Sequence, residues 1–401
     1  MKINNNFIKK LLDLQDLDIV YFNVNNGIFN IFATSSNKQV YCPRCGHITN
    51  KVHDRRYQDY EYLPIWNLKT IISLEVKRYK CNCNPEHPFT ETFNFIRKYQ
   101  RRTIAYEQYI FTLAHKNTIQ NVADIIGISH GACQRIYNFY AKNKLESLEP
   151  EPLTLLGIDD IAKSKGHNYN TVIYNQTTGN PVTIISGRKK DDLVPYLSNL
   201  PQEIKENIQA VSMDMSRSYC YSVLECLPNA KPVIDRFHLS QKLHSDTDNA
   251  RKHIQNDIKK HHNKDEVFKI RWALLKNSED LTEKQLLNLI TACDKYPQLA
   301  QLHYLKEEFR NFFKIKTKDK ALAFIDYFND LVKEYDIPEL KSFCNTLDNW
   351  LPHILNYYDY PISNGIVEGN NHKIKNIKRR GYGYRNQENF NLRVQLEFKY
   401  A

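Results

Sequence analysis

Three apolar runs in this chain of 401 residues each end in an acidic residue, and this pattern constrains the fold more than any other feature. The run LTLLGIDD reaches Asp159 and Asp160, the run ending in SMD stops at Asp214, and KPVID ends at Asp235. Apolar runs of this length are typical of buried strands. We therefore expect several carboxylates to lie where strands of one sheet end.

The segments between these runs indicate how the strands are ordered. Turn signals separate two more predicted strands, Tyr169–Asn175 and Pro181–Ser186, and helical stretches precede the later acid-ending runs. The order strand, strand, strand, helix, strand, helix, strand is that of a ribonuclease-H-like fold. In such a sheet the first and fourth strands are neighbours, so we expect Asp159 to lie beside Asp214.

Two carboxylates held close together repel each other unless a cation lies between them. Mg²⁺ prefers oxygen ligands and keeps positions open for water and phosphate oxygens. Two such ions about 3.5–4 Å apart can hold both the attacking and the leaving oxygen of a phosphodiester. The alternative is that Asp159 and Asp160 are surface acids at a strand end, while Asp214 caps a helix.

The charge balance favours an anionic partner such as nucleic acid. The formal net charge is +11, while hydrophobic residues make up 41% and charged residues 25%, as in ordinary globular proteins. We see no apolar run of about 20 residues and no signal peptide, so we predict a cytoplasmic protein without a membrane span. Its nine cysteines are then expected to be mostly reduced.

Four cysteines fall in one small, β-rich region and predict one structural Zn²⁺. CPRCGH places Cys42 and Cys45 at the spacing of a zinc knuckle, and CNCNPEH adds Cys81 and Cys83. Unrelated reduced thiols are the alternative. Histidines are alternative ligands: His87 in place of one member of the second pair and, more weakly, His47 and His53.

The segment TIQNVADIIGISHGACQRIYNFY predicts a helix-turn-helix. Ala123 suits a close approach of two helices, Gly127 suits a left-handed turn residue, and Ser129 can cap the second helix. An ordinary helical hairpin is the alternative. The second helix would present to DNA the side chains of His130, Gln134, Arg135 and Asn138.

A long stretch without glycine, between Gly187 and Gly365, is helical in pattern over most of its length. The chain is therefore an α+β multidomain protein. We divide it into a zinc-binding domain, a helix-turn-helix domain, the first part of the core, an all-α insertion and a carboxyl-terminal helical part of the core, at residues 1–95, 96–148, 149–238, 239–360 and 361–401.

The carboxyl-terminal segment SNGIVEGNNHKIKNIKRR reads as a helix capped by Ser363 or Asn364. Its predicted packing stripe consists of Val367, Ile374 and Ile377. A second face of the helix begins with an acidic residue and continues with basic residues toward its carboxyl end. It consists of Glu368, Asn371, His372, Lys375 and Arg379.

Four motifs together resemble the ISL3 family of insertion-sequence transposases: GIDDIAKSKGHNY, SMDMSRSY, PNAKPVIDRFH and NGIVEGNNHKIKNIKRRGYGYRN. CPRCG, FTETF and the helix-turn-helix match the amino-terminal half of that family. The resemblance implies a DDE transposase with a ribonuclease-H-like core interrupted by an α-helical insertion. Carried over by motif, the catalytic acids are Asp159, Asp214 and Glu368. The family's first motif often reads Asp-Glu, so Asp160 stays an alternative to Asp159.

The resemblance also implies two Mg²⁺ (or Mn²⁺) ions bound by these acids, and cutting and joining of element ends. Asp235, His238 and Arg188 would support the site. The partners would be terminal inverted repeats and target DNA, with a homodimer as the active form, associated with the bacterial nucleoid. Backbone contacts near the cut would come from Lys373, Lys375, Lys378, Arg379 and Arg380. The alternatives are a non-catalytic DNA-binding regulator and a ribonuclease-H-like nuclease without strand transfer.

Overall fold

The computed structural model describes residues 8–10, 12–14, 16–163, 168–261 and 270–400. The chain divides into two compact units, Met1–Ser147 and Leu148–Ala401. None of the described helices combines the length and the apolar character that a membrane span requires.

The first unit contains a five-stranded sheet and a small hairpin. Strands β1 and β2 are followed by the β3–β4 hairpin and then by β5, β6 and β7, and the sheet order is β1-β2-β6-β5, with β7 also paired to β6. In β6 every second residue from Thr70 to Val76 is buried, as a half-buried strand requires. The strands are Leu17–Asn25, Ile28–Ser35, Val40–Tyr41, Ile48–Thr49, Val52–Ile65, Leu68–Cys81 and Asn84–Thr90.

Three helices follow this sheet along the chain: α1 Ile104–His115, α2 Ile119–Ile126 and α3 His130–Glu146. Gly127 ends α2 with a φ of 73°, in the left-handed region that favours glycine. Ser129 caps α3, because its side chain accepts a hydrogen bond from the backbone N–H of Ala132 at 3.2 Å. The predicted turn and cap of the helix-turn-helix are therefore confirmed.

The second unit is built on a sheet of order β10-β9-β8-β11-β12. Strand β8 pairs antiparallel with β9, and β9 with β10, whereas β8 pairs parallel with β11, and β11 with β12. The predicted bounds of β9 and β10 are confirmed. The five strands are Leu155–Ala162, Tyr169–Asn175, Pro181–Ser186, Ala210–Met213 and Lys231–Ile234.

Strand β8 is longer than the acid-ending pattern predicts. It continues to Ala162 because its second half pairs with β9, so Asp159 and Asp160 lie inside the strand. Strand β11 pairs with β8 only as far as Ser212 beside Gly157. Continuing that register by two residues brings Asp214, which follows β11, level with Asp159.

Helices cover both faces of this sheet. On one face, a hydrophobic cluster contains residues of β8 and β11 and residues of helices before and after the predicted start of the insertion at residue 239, as far as Leu355. The residues from 239 to 261 and from 270 to 360 contain helices and no strand. Between residues 190 and 355 the described helices are α4 Lys190–Ser198, α5 Gln202–Asn207, α6 Arg217–Cys226, α7 Arg236–His261, α8 Arg271–Leu275, α9 Glu283–Lys295, α10 Pro297–Phe309, α11 Lys318–Tyr335 and α12 Pro338–Leu355.

The opposite face is covered by α13, Gly365–Arg380, and α14, Gln387–Lys399. The predicted stripe Val367, Ile374 and Ile377 is buried there against β8, β9 and β10, which confirms that prediction. Side chains alternate between the two faces of a strand. In β8, Ile158 accordingly belongs to the first cluster and Ile161 to the cluster under α13.

Candidate functional site

The four predicted zinc ligands lie together in the first unit. The sulfur atoms of Cys42 and Cys83 are 3.7 Å apart, those of Cys45 and Cys81 are 3.6 Å apart, and all four lie within 4.8 Å of one another. A tetrahedral zinc ion with Zn–S bonds of about 2.3 Å would separate its sulfur ligands by about 3.8 Å. The cluster therefore has the spacing of a Cys₄ zinc site, and the alternative ligand His87 lies outside it.

Local backbone geometry explains how this cluster forms. The β3–β4 hairpin carries Cys42 and Cys45 on a turn closed by Gly46, whose φ of 73° allows its N–H to reach Cys42 O at 2.9 Å. Backbone N–H groups of Arg44 and Cys45 also point at the Cys42 sulfur and lower the pKa of this thiol to about 6. A thiol that ionises this readily is suited to bind metal as a thiolate.

The four residues of the helix-turn-helix predicted to contact DNA lie on α3. His130 and Arg135 are exposed, whereas Gln134 and Asn138 are half-buried and bonded to each other, with Gln134 Nε2 donating to Asn138 Oδ1 at 2.8 Å. Cys133 and Ile136 face the helical core. Two of the four side chains are thus openly presented to solvent.

In the second unit, Asp159 is held by a short relay of side chains. Tyr174 OH donates to Asn371 Oδ1 at 2.5 Å, and Asn371 Nδ2 donates to Asp159 Oδ2 at 2.6 Å. The N–H of Asp160 donates to Asp159 Oδ1 at 2.8 Å. Burial nevertheless dominates and raises the pKa of Asp159.

Asp214 follows β11 and lies close enough to Asp159, Asp160 and His238 to interact with their charges. Burial raises its pKa to about 6, while nearby His238 acts in the opposite direction and Asp160 and Asp159 raise the pKa further. Its Oδ1 atom is buried and has no hydrogen-bond partner among the described residues. The alternative that Asp214 caps a helix is wrong, because Ser216 is the N-cap of α6. A buried carboxylate oxygen without a donor, beside other carboxylates, fits a cation.

Asp160 has a different set of contacts from Asp159. Arg188 Nη1 lies 3.3 Å from Asp160 Oδ2, and the Arg188 guanidinium also stacks 4.3 Å from the centre of the Tyr169 ring. Successive residues of a strand face opposite sides, so Asp159 meets α13 and Asp160 does not. Arg188 thus contacts Asp160, and its supporting role stays a prediction.

The other two predicted supporting residues lie at the start of α7. Asp235 is 2% exposed, and its Oδ1 atom lies 3.4 Å from both the N–H of Phe237 and the N–H of Asn364. Asp235 therefore joins the end of β12 to the start of α13. His238 lowers the pKa of both Asp159 and Asp214, although burial of each acid outweighs this effect.

Glu368 belongs to α13, one helical turn before Asn371, but its side chain lies outside the described residues. Asn364 is the N-cap residue of this helix, as predicted, but its side chain makes no capping hydrogen bond. The side chain of Asn364 contacts the sheet instead. Neither this contact nor that of Asn371 with Asp159 could be predicted, because the partners are about 200 positions away along the chain.

The basic residues of α13 are not equivalent. The Lys373 amine lies 4.1 Å from the centre of the Phe398 ring, Lys378 donates to Ala162 O at 2.9 Å, and Arg380 pairs with Glu397. Burial lowers the pKa of both Lys373 and Lys378. Lys375 and Arg379, together with Lys378, line an open groove of about 510 Å³.

Comparison with known proteins gives the class of this chain. A family model for a helix-turn-helix domain of transposase family ISL3 matches residues 91–141, and one for the zinc finger of the transposases of IS204, IS1001, IS1096 and IS1165 matches residues 38–83. The ISL3 family model described as a transposase, of the DDE type, matches residues 156–394. The chain thus combines a zinc ribbon, a helix-turn-helix DNA-binding domain and a transposase domain.

Two relatives extend the similarity over most of the chain. The transposase for insertion sequence element IS1001 of Bordetella parapertussis is 26% identical over 372 residues, which cover 92% of this chain and 91% of that protein. The transposase for insertion sequence element IS1557 of Mycobacterium tuberculosis is 24% identical over 340 residues, 79% of this chain and 76% of that protein. The chain belongs to the ISL3 family of transposases. Membership in this family implies an enzyme that cleaves and transfers DNA.

The cysteine cluster predicts how zinc content responds to mutation. Cys42→Ser should reduce the zinc of the purified protein from about one ion per chain to a small fraction, because a tetrahedral site loses one of four thiolates. Metal analysis by mass spectrometry measures this change. Cys293→Ser, which alters a thiol of α9 in the other unit, is the control and should keep its zinc. Equal zinc in both variants would remove Cys42 from the ligand set.

The raised pKa of Asp214 predicts a pH-dependent cost in stability. An acid whose pKa is about 6 when folded and about 3.9 when unfolded costs about 3 kcal/mol above pH 6, and this cost disappears as the pH falls toward 4. Without Mg²⁺ or Mn²⁺, Asp214→Asn should therefore raise Tm at pH 8, and the gain should shrink as the pH drops below 6.

Thermal unfolding of the zinc-loaded protein between pH 5 and 8 measures this gain. Asp326→Asn, on an exposed position of α11, is the matched control and should leave the pH profile of Tm unchanged. A loss of Tm at pH 8 in Asp214→Asn would contradict the cost assigned to the buried charge.

Proposed function

We propose that this chain is an active DDE transposase, which binds the terminal inverted repeats of its element and catalyses metal-dependent cleavage and strand transfer. The observation that carries the proposal is the juxtaposition of Asp159, in β8, and Asp214, just after the neighbouring parallel strand β11, with one buried oxygen of Asp214 lacking a donor. The sheet order supports a ribonuclease-H-like core, and the helices among the described residues of 239–360 support an all-α insertion.

The proposed catalytic acids are Asp159, Asp214 and Glu368. Asp159 is favoured over Asp160 because it lies on the face of β8 that meets α13, the helix that also contains Glu368. Asp160 is instead paired with Arg188. Asn371 donates a hydrogen bond to one oxygen of the Asp159 carboxylate, and the backbone N–H of Asp160 donates to the other oxygen. These two bonds fix the orientation of the carboxylate.

The donor set fits a hard divalent cation. Carboxylate oxygens are the ligands that Mg²⁺ and Mn²⁺ prefer, and a bound pair of such ions supplies charge stabilisation to the oxygens of a reacting phosphodiester. Asp159 and Asp214 would hold these ions together with Glu368. Burial raises the pKa of both carboxylates and neighbouring acids raise it further, which is the arrangement expected where a cation compensates buried negative charge.

Retention of both sheet acids argues against a regulator that has lost catalysis. For DNA contacts we propose that α3 reads terminal repeats through His130 and Arg135, the exposed members of its predicted set. Lys375 and Arg379 would neutralise phosphates along the groove of α13. Bringing two element ends together favours a homodimer as the active form.

The decisive experiment incubates the purified chain with Mg²⁺ and a duplex that carries the element's own ends. Asp214→Asn and Asp159→Asn should each reduce cleavage by about a thousand-fold or more, because the charge that holds the metal is lost. Gel analysis of end-labelled DNA measures the cleaved fraction over time.

Asp160→Asn is the matched comparison, one position along the same strand. It should retain clearly more cleavage than Asp159→Asn, since its carboxylate pairs with Arg188. Equal cleavage by wild type and Asp214→Asn would refute the metal-site proposal. Cleavage without joining of the ends would leave a nuclease without strand transfer as the function.

The contacts of α13 predict which of its basic side chains bind phosphate. Replacing an exposed basic residue that contacts one phosphate should reduce the slope of log affinity against log salt concentration by about one. We expect this for Arg379→Ala and not for Lys373→Ala, because Lys373 packs on Phe398. Fluorescence anisotropy with labelled end DNA at several salt concentrations gives both slopes. A larger change in slope for Lys373→Ala would reverse this assignment.

A further inference from the structure

Asn364 makes more hydrogen bonds with the sheet than a residue at the start of a helix needs. Its side chain is 5% exposed, and Oδ1 accepts from Ser212 Oγ at 2.5 Å and from Gln176 Nε2 at 2.9 Å. Its Nδ2 donates to Ile158 O at 3.3 Å, and its backbone N–H lies 3.4 Å from Asp235 Oδ1. Both polar atoms of the amide are therefore engaged.

These contacts reach each element that carries a proposed catalytic acid. Ile158 directly precedes Asp159 in β8, and Ser212, in β11, lies two positions before Asp214, which follows that strand. Asn364 itself lies about one helical turn before Glu368 along α13. One amide thus joins two strands and one helix at the end where the acids lie.

The absence of a side chain at Gly157 leaves the space that the Asn364 amide and its partner Gln176 occupy. Ser212 pairs with Gly157, and a Cβ atom at Gly157 would lie 2.3 Å from Gln176 Nε2 and 3.1 Å from Asn364 Oδ1. A Cβ atom at this position would push the Gln176 amide away from Asn364 and Ser212. The side chain of an Asn at an N-cap usually bonds to a backbone N–H of the first helical turn, but here it is committed to the sheet.

We propose that Asn364 is a positioning residue, which sets the relative placement of Asp159, Asp214 and α13 and so determines how well the acids bind divalent metal. This inference rests on the proposed function, because it concerns the same metal site. Asn364 does not itself ligate the metal. Its amide holds Ile158 and Ser212, which lie just before Asp159 and Asp214 along the chain, and a buried network of this kind holds one arrangement only while all its members are paired.

Binding of Mn²⁺ to the zinc-loaded protein tests this inference without any cleavage assay. Electron paramagnetic resonance of free Mn²⁺ gives the dissociation constant directly. For Asn364→Ala we expect that constant to rise about ten-fold or more, as is typical when a partner behind a metal ligand is removed. Ser212→Ala removes the bonds of the Ser212 hydroxyl with Asn364 and Gln176 but leaves the bonds of Asn364 with Gln176 and Ile158, and should raise the dissociation constant by about three-fold.

Asn391→Ala is the matched control. Asn391 also joins a carboxyl-terminal helix to the sheet through three bonds, accepting from Ile184 N at 2.6 Å and donating to Ile184 O and Thr183 Oγ1. Its strand, β10, carries none of the proposed acids. We expect its Mn²⁺ dissociation constant to stay within about two-fold of wild type, since lost packing alone does not move the acids.

Four outcomes separate this inference from the proposed function. Weak Mn²⁺ binding by Asp214→Asn and Asn364→Ala, with Asn391→Ala unaffected, supports both. Weak binding by Asp214→Asn with normal binding by Asn364→Ala overturns the role of Asn364 alone. Normal binding by Asp214→Asn overturns the metal site and this inference with it. Should Asn364→Ala fail to fold, as seen by circular dichroism, normal Mn²⁺ binding by Ser212→Ala would overturn the inference.

Discussion

The parallel pairing of β8 with β11 is the constraint on which the rest of the second unit depends. It ends at Ser212 beside Gly157, and just beyond that point Asp159 and Asp214 come level. The two acids are buried together, and their pKa values rise as a result. Such a pair is unfavourable in an isolated sheet, so the remaining elements must hold it in place.

Helix α13 does much of this holding. It packs through Val367, Ile374 and Ile377 on the face of the sheet opposite the long helices. From that position Asn371 reaches Asp159, while Asn364 reaches β8 and β11. The apolar stripe provides the burial energy, and the two amides provide the alignment. A helix attached only by its apolar stripe could shift or rotate by a small amount, whereas the directional hydrogen bonds allow one position.

Much of this architecture could be predicted from the sequence because its signals are local. Alternating and apolar runs gave the bounds of β9 and β10, and cysteine spacing indicated the cluster at Cys42 and Cys81. The extent of β8 was not predictable, because its second half forms only by pairing with β9. The basic residues of α13 also looked alike in the sequence. Only packing separates Lys373, which lies on an aromatic ring, from Arg379 in an open groove.

The sequence by itself determined the inventory: four thiols at ligand spacing, acids after apolar strands, and a glycine where a helix must end. These depend on residue type and on neighbours within a few positions. Tertiary structure decided which groups meet. Asn371 lies 212 positions from Asp159, and Asn364 lies 206 positions from Ile158. No local preference encodes such contacts, because they arise only when burial of the helix and pairing of the strands bring distant segments together.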